Sequence, residues 1–264
     1  MEKVTSPDGA PIAFHRRGSG PPLILVPGSG AANPVAWADV IPALAARFTV
    51  YAVDRRGRGE SGDGPTYALQ REAEDLAAVA RAADEPANLL GHSFGALCAL
   101  EAALLIPNLH RLILYEPTIT LPGLSLYQEE AIARLQALLD AGDRESVLTV
   151  LYREIVMMPQ GEFEQLQASP LWPARLAAAH TVVRESRTEE QYEFDAARFK
   201  NLRTPTLLLL GGDSAPLFKK VTKTIAAALT HSQIAVLPEQ QHVAMYTAPD
   251  LFLREVLNFL AEPE

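Results

Sequence analysis

The sequence has one cysteine, Cys98, in 264 residues. It excludes an internal disulfide, and it reads as a small packed hydrophobe. Basic charge is in deficit, with 23 Lys and Arg against 32 Asp and Glu and a net charge of −9. A nucleic-acid partner, which needs a basic surface to displace phosphate counterions, is therefore not expected. No apolar run approaches the roughly 18 residues of a membrane span. The first nine residues, Met1 to Gly9, show no apolar signal region. The expectation is a cytoplasmic, unexported protein with no membrane partner. No His/Cys/Asp cluster has metal-ligand spacing, and no G-x-G-x-x-G or P-loop lysine marks a nucleotide site, so neither metal nor cofactor is expected.

What is present is ordinary for a globular protein: 48% hydrophobic and 21% charged residues. The chain alternates short apolar runs with helical stretches. Ala10 to Arg16 follows an Asp8-Gly9 turn and reads as half of a hairpin. Runs of buried-strand type occupy Leu23 to Val26, Phe48 to Val53, Ala87 to Leu90, Leu112 to Tyr115, Thr206 to Leu210 and Ile234 to Leu237. Such alternation predicts an α/β fold with a mostly parallel sheet covered on both faces and ligand chemistry at the carboxyl ends of its strands.

The order breaks between about Pro117 and Lys200, where four or five amphipathic helical segments follow one another: Tyr127 to Ala141, Arg144 to Met157, Glu162 to Ala168, Trp172 to Arg184 and Glu189 to Phe199. So long an insertion is not an ordinary loop. It predicts a helical cap over 117–200, inserted in a core of 1–116 and 201–264. Met157, Met158 and Trp172 then suggest a largely apolar pocket with few fixed charges, in which Met157, Trp172 and Gly28 meet substrate.

The strongest local signal is Asn88-Leu89-Leu90-Gly91-His92-Ser93-Phe94-Gly95 running into the Ala-rich stretch from Ala96. A strand turning sharply into a helix with serine at the apex is a nucleophile elbow. A serine hydroxyl needs a base. Among six histidines, His242 follows the last strand and precedes the final helix, and so hangs at the same sheet edge. The oxyanion needs preorganised donors. The backbone N–H of Phe94 supplies one by position, and Ser29, in Pro27-Gly28-Ser29-Gly30 after a strand, the other.

Together these residues resemble the α/β-hydrolase family over essentially the whole chain: the Pro27 to Gly30 loop, Asp54-Arg55-Arg56-Gly57-Arg58-Gly59-Glu60-Ser61, the elbow, the insertion and the late histidine. The resemblance implies the order serine, acid, histidine along the chain. It leaves two acids open. Asp213 follows the strand where most members keep the acid, although the usual position is held by Ser214. Glu116 ends the preceding strand, the alternative site seen in some haloalkane dehalogenases and fungal zearalenone lactonases, and is preferred. Proline at position 27, where the family's oxyanion loop usually has histidine, is a departure.

Serine rather than aspartate at the elbow implies acyl chemistry on an ester or lactone of a small hydrophobic substrate. Carbon–carbon bond hydrolysis, cofactor-free haloperoxidase or perhydrolase activity, and a non-catalytic small-molecule receptor are the alternatives. The expected partners are a small-molecule substrate and, at most, a second copy of the chain as a homodimer.

Overall fold

A computed structural model describes residues 1–31, 35–83, 86–125, 127 and 130–262. Among the described residues eight strands form one sheet: β1 (Glu2–Thr5), β2 (Pro11–Arg17), β3 (Pro22–Val26), β4 (Thr49–Val53), β5 (Asn88–His92), β6 (Arg111–Tyr115), β7 (Thr206–Gly211) and β8 (Ser232–Leu237). Their spatial order is β1-β2-β4-β3-β5-β6-β7-β8. The β1–β2 and β2–β4 pairs are antiparallel and all others parallel.

Strands β3 to β7 are buried at every position. This is why they read as unbroken apolar runs: both sheet faces are covered, so alternation has no solvent side to report. Leu23, Leu25, Leu90, Ile113 and Leu209 serve one core, and Ile24, Val26, Leu89, Leu114 and Leu208 the other. Helices α1 (Ile41–Ala45) and α11 (Pro249–Ala261) pack on the first core. Helices α2 (Leu69–Ala82), α3 (Phe94–Ala102) and α10 (Pro216–Ala228) pack on the second. Strand β8 departs from the expectation of a buried strand. It is an edge strand with Ile234 and Val236 exposed, because no further strand flanks it and one of its faces is open.

Between β6 and β7 lie α4 (Ala131–Asp140), α5 (Arg144–Thr149), α6 (Gln160–Ala168), α7 (Trp172–Ala178), α8 (Val182–Gln191) and α9 (Ala196–Phe199). Positions 128 and 129 of the first expected helix lie outside the described residues. The expected Arg144 to Met157 helix instead widens into a π-helical turn, Val150–Ile155, where the Val156 N–H reaches back to the Leu151 carbonyl at 2.9 Å. The expected Trp172 to Arg184 helix is interrupted by a 3₁₀ turn, Ala179–Thr181.

One buried ion cluster joins α8 to the core. Arg55 lies 3.1 Å from Glu72 and 2.9 Å from Glu185, and Arg58 pairs with Glu185 as well. Arg58 also donates to the carbonyls of Gly28 and Ala31, at 2.8 and 2.6 Å, and to the Thr181 hydroxyl at 3.0 Å. All four charged side chains are fully buried. Burial works against the charge of Glu185, but the two guanidiniums hold its carboxyl below the usual range. Removing one member of such a set strands the others. Glu185→Ala should cost about 3–5 kcal/mol, read as a lower urea midpoint at unchanged slope. A loss under about 1 kcal/mol would show that removing Glu185 leaves no charge stranded in the interior.

Candidate active site

Each chemical residue sits where a strand runs out. Ser93 follows β5 with φ 57° and ψ −126°, and its hydroxyl crowns the turn into α3. The turn is tight enough that a Cβ on Gly95 would meet the carbonyl oxygens of Val26 and Pro27 at 2.5 Å. A Cβ on Gly28 would meet the Ser93 Cβ at 2.9 Å, so glycine there lets the Pro27–Gly30 loop press against the elbow.

Glu116 follows β6, also in the left-handed region, with φ 44°. Its Oε2 lies 2.6 Å from His242 Nδ1, and its Oε1 accepts from the Gly211 N–H at 2.7 Å. Glu116 is fully buried and His242 nearly so. The other ring nitrogen, His242 Nε2, is buried without a hydrogen-bond partner among the described residues, and His242 and Ser93 line the same cavity. Phe218, from α10, stacks on the imidazole with ring centroids 4.4 Å apart. Asp213 is not brought to His242. It is exposed, and its backbone N–H donates to the Gln240 carbonyl at 2.9 Å. Nor does it cap α10, whose N-cap is Ala215 with no side-chain bond.

The loop bearing His242 is clamped by the residues adjacent in sequence to Ser93 and Glu116. His92 Nε2 lies 2.7 Å from the His242 carbonyl. A carbonyl only accepts, so that nitrogen carries the proton. Burial, reinforced by His242, pushes His92 well below the ordinary histidine range. The Tyr115 hydroxyl donates to the Gln241 carbonyl and accepts from the Ala244 N–H at 3.0 Å. His92 and Tyr115 face each other across the β5–β6 register. Neither clamp follows from a motif, although His92 lies inside the elbow sequence itself.

Ser29 also lines the cavity, and its hydroxyl donates to Glu185 Oε2 at 2.7 Å, which ties the loop to the ion cluster. Phe94 opens α3, where the first amides of a helix have no intrahelical acceptor.

The cavity includes Gly28, Ser29, Ser93, Met158, Phe218 and His242 in its lining. Two residues expected to meet substrate, Met157 and Trp172, do not line this cavity. Met157 is 63% exposed with φ 60°, because the chain leaves the π-helical turn in a left-handed residue that swings its side chain outward; buried Met158 takes the place in the lining. Trp172 packs edge-on against Phe163 at 5.9 Å, holding α7 to α6, and does not line the cavity.

The wall is less apolar than expected, since the ionisable side chains of Arg175 and Glu189 are both in it and both buried. Arg175 donates to the hydroxyls of Tyr152 and Tyr246 at 2.8 and 2.9 Å. Glu189 accepts from the hydroxyls of Thr118 and Tyr127. These were legible only as isolated charges in amphipathic helices, where a solvated face is the ordinary reading. Among the described residues no group of His, Cys, Asp and Glu could hold a metal ion, and no helix is long and apolar enough to cross a membrane.

The family model described as "Alpha/beta hydrolase family" matches residues 23–255. A solved alpha/beta hydrolase from Sphaerobacter thermophilus is 35% identical, with a TM-score of 0.86 over 98% of this chain and 100% of that one. The N-formylmaleamate deformylase of Pseudomonas putida is 40% identical over 114 residues, 42% of each chain. The pimeloyl-[acyl-carrier protein] methyl ester esterase of Aeromonas hydrophila is 40% identical over 105 residues, 39% of this chain and 40% of that one.

Glu189 gives the site a pH-dependent stability. Burial raises its carboxyl from 4.5 to about 7, so the folded protein keeps a proton that the unfolded chain has released. Stability is then lost as pH rises from about 4.5 through 7. Glu189→Gln removes this titration. The urea midpoint of the wild type should fall relative to the variant's as pH rises through that window, whereas a constant difference would refute the assignment.

Proposed function

We propose that this chain, which belongs to the alpha/beta hydrolase family, cleaves a carboxylic ester or lactone through an acyl-enzyme on Ser93. The observation that carries this reading is the Glu116–His242 contact at 2.6 Å, with the opposite ring nitrogen buried and unpartnered among the described residues and His242 in the wall of the cavity that Ser93 shares. The bond to Glu116 puts the proton on Nδ1 and leaves Nε2 basic.

In this reading Ser93 Oγ attacks the acyl carbonyl while His242 Nε2 takes its proton. The oxyanion is met by the backbone N–H groups of Phe94 and Ser29, the Ser29 side chain being already engaged by Glu185. The imidazolium then gives its proton to the leaving alkoxide. Water, deprotonated by the same nitrogen, attacks the acyl-enzyme, releases the carboxylic acid and restores the Ser93 hydroxyl. The segment 117–200 serves as a cap that walls the cavity. The esterase named among the relatives supports an ester substrate.

Activity on 4-nitrophenyl butyrate tests the assignment. Ser93→Ala and His242→Ala should each lower kcat by at least about 10³-fold, and Ser93→Ala should also lose labelling by a fluorophosphonate. Glu116→Gln should cost about 10³ to 10⁴-fold. Asp213→Asn should change the rate by less than about threefold, as a surface substitution does. An inactive Asp213→Asn beside an active Glu116→Gln would move the acid to the other strand.

A further inference from the structure

We infer that the substrate carries a carboxylate and that Arg175 receives it, so that the natural ester or lactone is an anion at neutral pH. The inference rests on the serine-hydrolase reading and adds the chemistry of the group bound away from the scissile bond. Five arginines are buried among the described residues. Three of them, Arg55, Arg56 and Arg58, have carboxylate partners. Arg111 sits at the start of β6, donates to the Glu262 carbonyl, and lines none of the described cavities.

Arg175 alone combines burial, a place in the wall shared with Ser93 and His242, and no ion-pair partner among the described residues. Its acceptors are two neutral phenols, and its Nε–H is buried without a hydrogen-bond partner among the described residues. A charge withdrawn from water with its donors incompletely used is costly unless an anion completes it.

The surroundings specify the anion's contacts. The Tyr152 hydroxyl accepts from Arg175 and donates to the Gly30 carbonyl at 3.1 Å, so the guanidinium is two hydrogen bonds from the loop that holds Ser29. The Tyr246 hydroxyl accepts from Arg175, and its own proton has no acceptor among the described residues. A carboxylate there gains the Arg175 N–H and the Tyr246 O–H together, a charge-assisted pair with directional geometry. Arg175 and Tyr246 also line an adjoining cavity past Leu166 and Met158, so the anion would sit where the two spaces meet.

The test compares monoethyl and diethyl esters of succinate, glutarate and adipate as substrates for the wild type, Arg175→Gln and Tyr246→Phe. The monoethyl ester of at least one length should have the higher kcat/KM in the wild type. Arg175→Gln should lower that value at least about 30-fold more than it lowers the diester's, mainly through KM, with Tyr246→Phe doing so to a smaller extent. A folding-independent arm uses the wild type alone: glutarate should inhibit 4-nitrophenyl acetate hydrolysis competitively, and glutaramide should not. Equal losses on both esters, or equal inhibition by glutarate and glutaramide, would overturn the inference and leave the serine reading intact. Ester hydrolysis that survives Ser93→Ala would instead overturn the serine reading.

Discussion

Glu185 is the residue on which the site's architecture converges. It comes from the inserted segment, yet its carboxylate is held by Arg55 and Arg58 from the loop after β4 and accepts from Ser29 in the loop after β3. Arg58 extends the same set to the Gly28 and Ala31 carbonyls. Three segments far apart in sequence are thus fixed by one desolvated carboxylate. Electrostatics of this kind is poor at adding net stability but strict about geometry, since any arrangement that separates the charges leaves one of them bare in a low-dielectric interior. The glycine-rich loop, which backbone propensity alone would leave variable, is given one position.

The histidine loop is held by a different device. His92 and Tyr115, neighbours of Ser93 and Glu116, face each other across β5 and β6 and grip the backbone on either side of His242. The spacing between the candidate nucleophile, base and acid is therefore set by the register of two parallel strands. The inserted helices contribute the cavity wall above this frame, so the wall can vary in chemistry without disturbing it.

These devices were unequally legible in the sequence. The parallel sheet was readable because strands covered on both faces cannot hide their apolar runs, and the elbow was readable because its glycines are demanded by contacts as short as those of Gly95. Strand β8 was misread since an edge strand can carry the same Ile and Val as a buried one. The choice between Glu116 and Asp213 stayed open because it depends on which strand end the histidine loop leans toward, a tertiary fact. Met157 was misplaced because a single π-helical turn rephases everything after it, and no residue type announces such a turn. Arg175 was invisible as a site residue because a lone arginine in an amphipathic helix looks solvated until the helix is packed.

Ser93 and Glu116 share a property that their chemistry conceals: both are non-glycine residues with positive φ, at the ends of adjacent strands. The backbone at these two places would be relaxed by glycine, and the side chains that chemistry would require are the ones the backbone tolerates least. Selection for robustness and selection for turnover would then pull in opposite directions at both positions. A lineage of this chain drifting without a substrate would be expected to gain thermal tolerance at these strand ends as it lost the candidate nucleophile and the candidate acid.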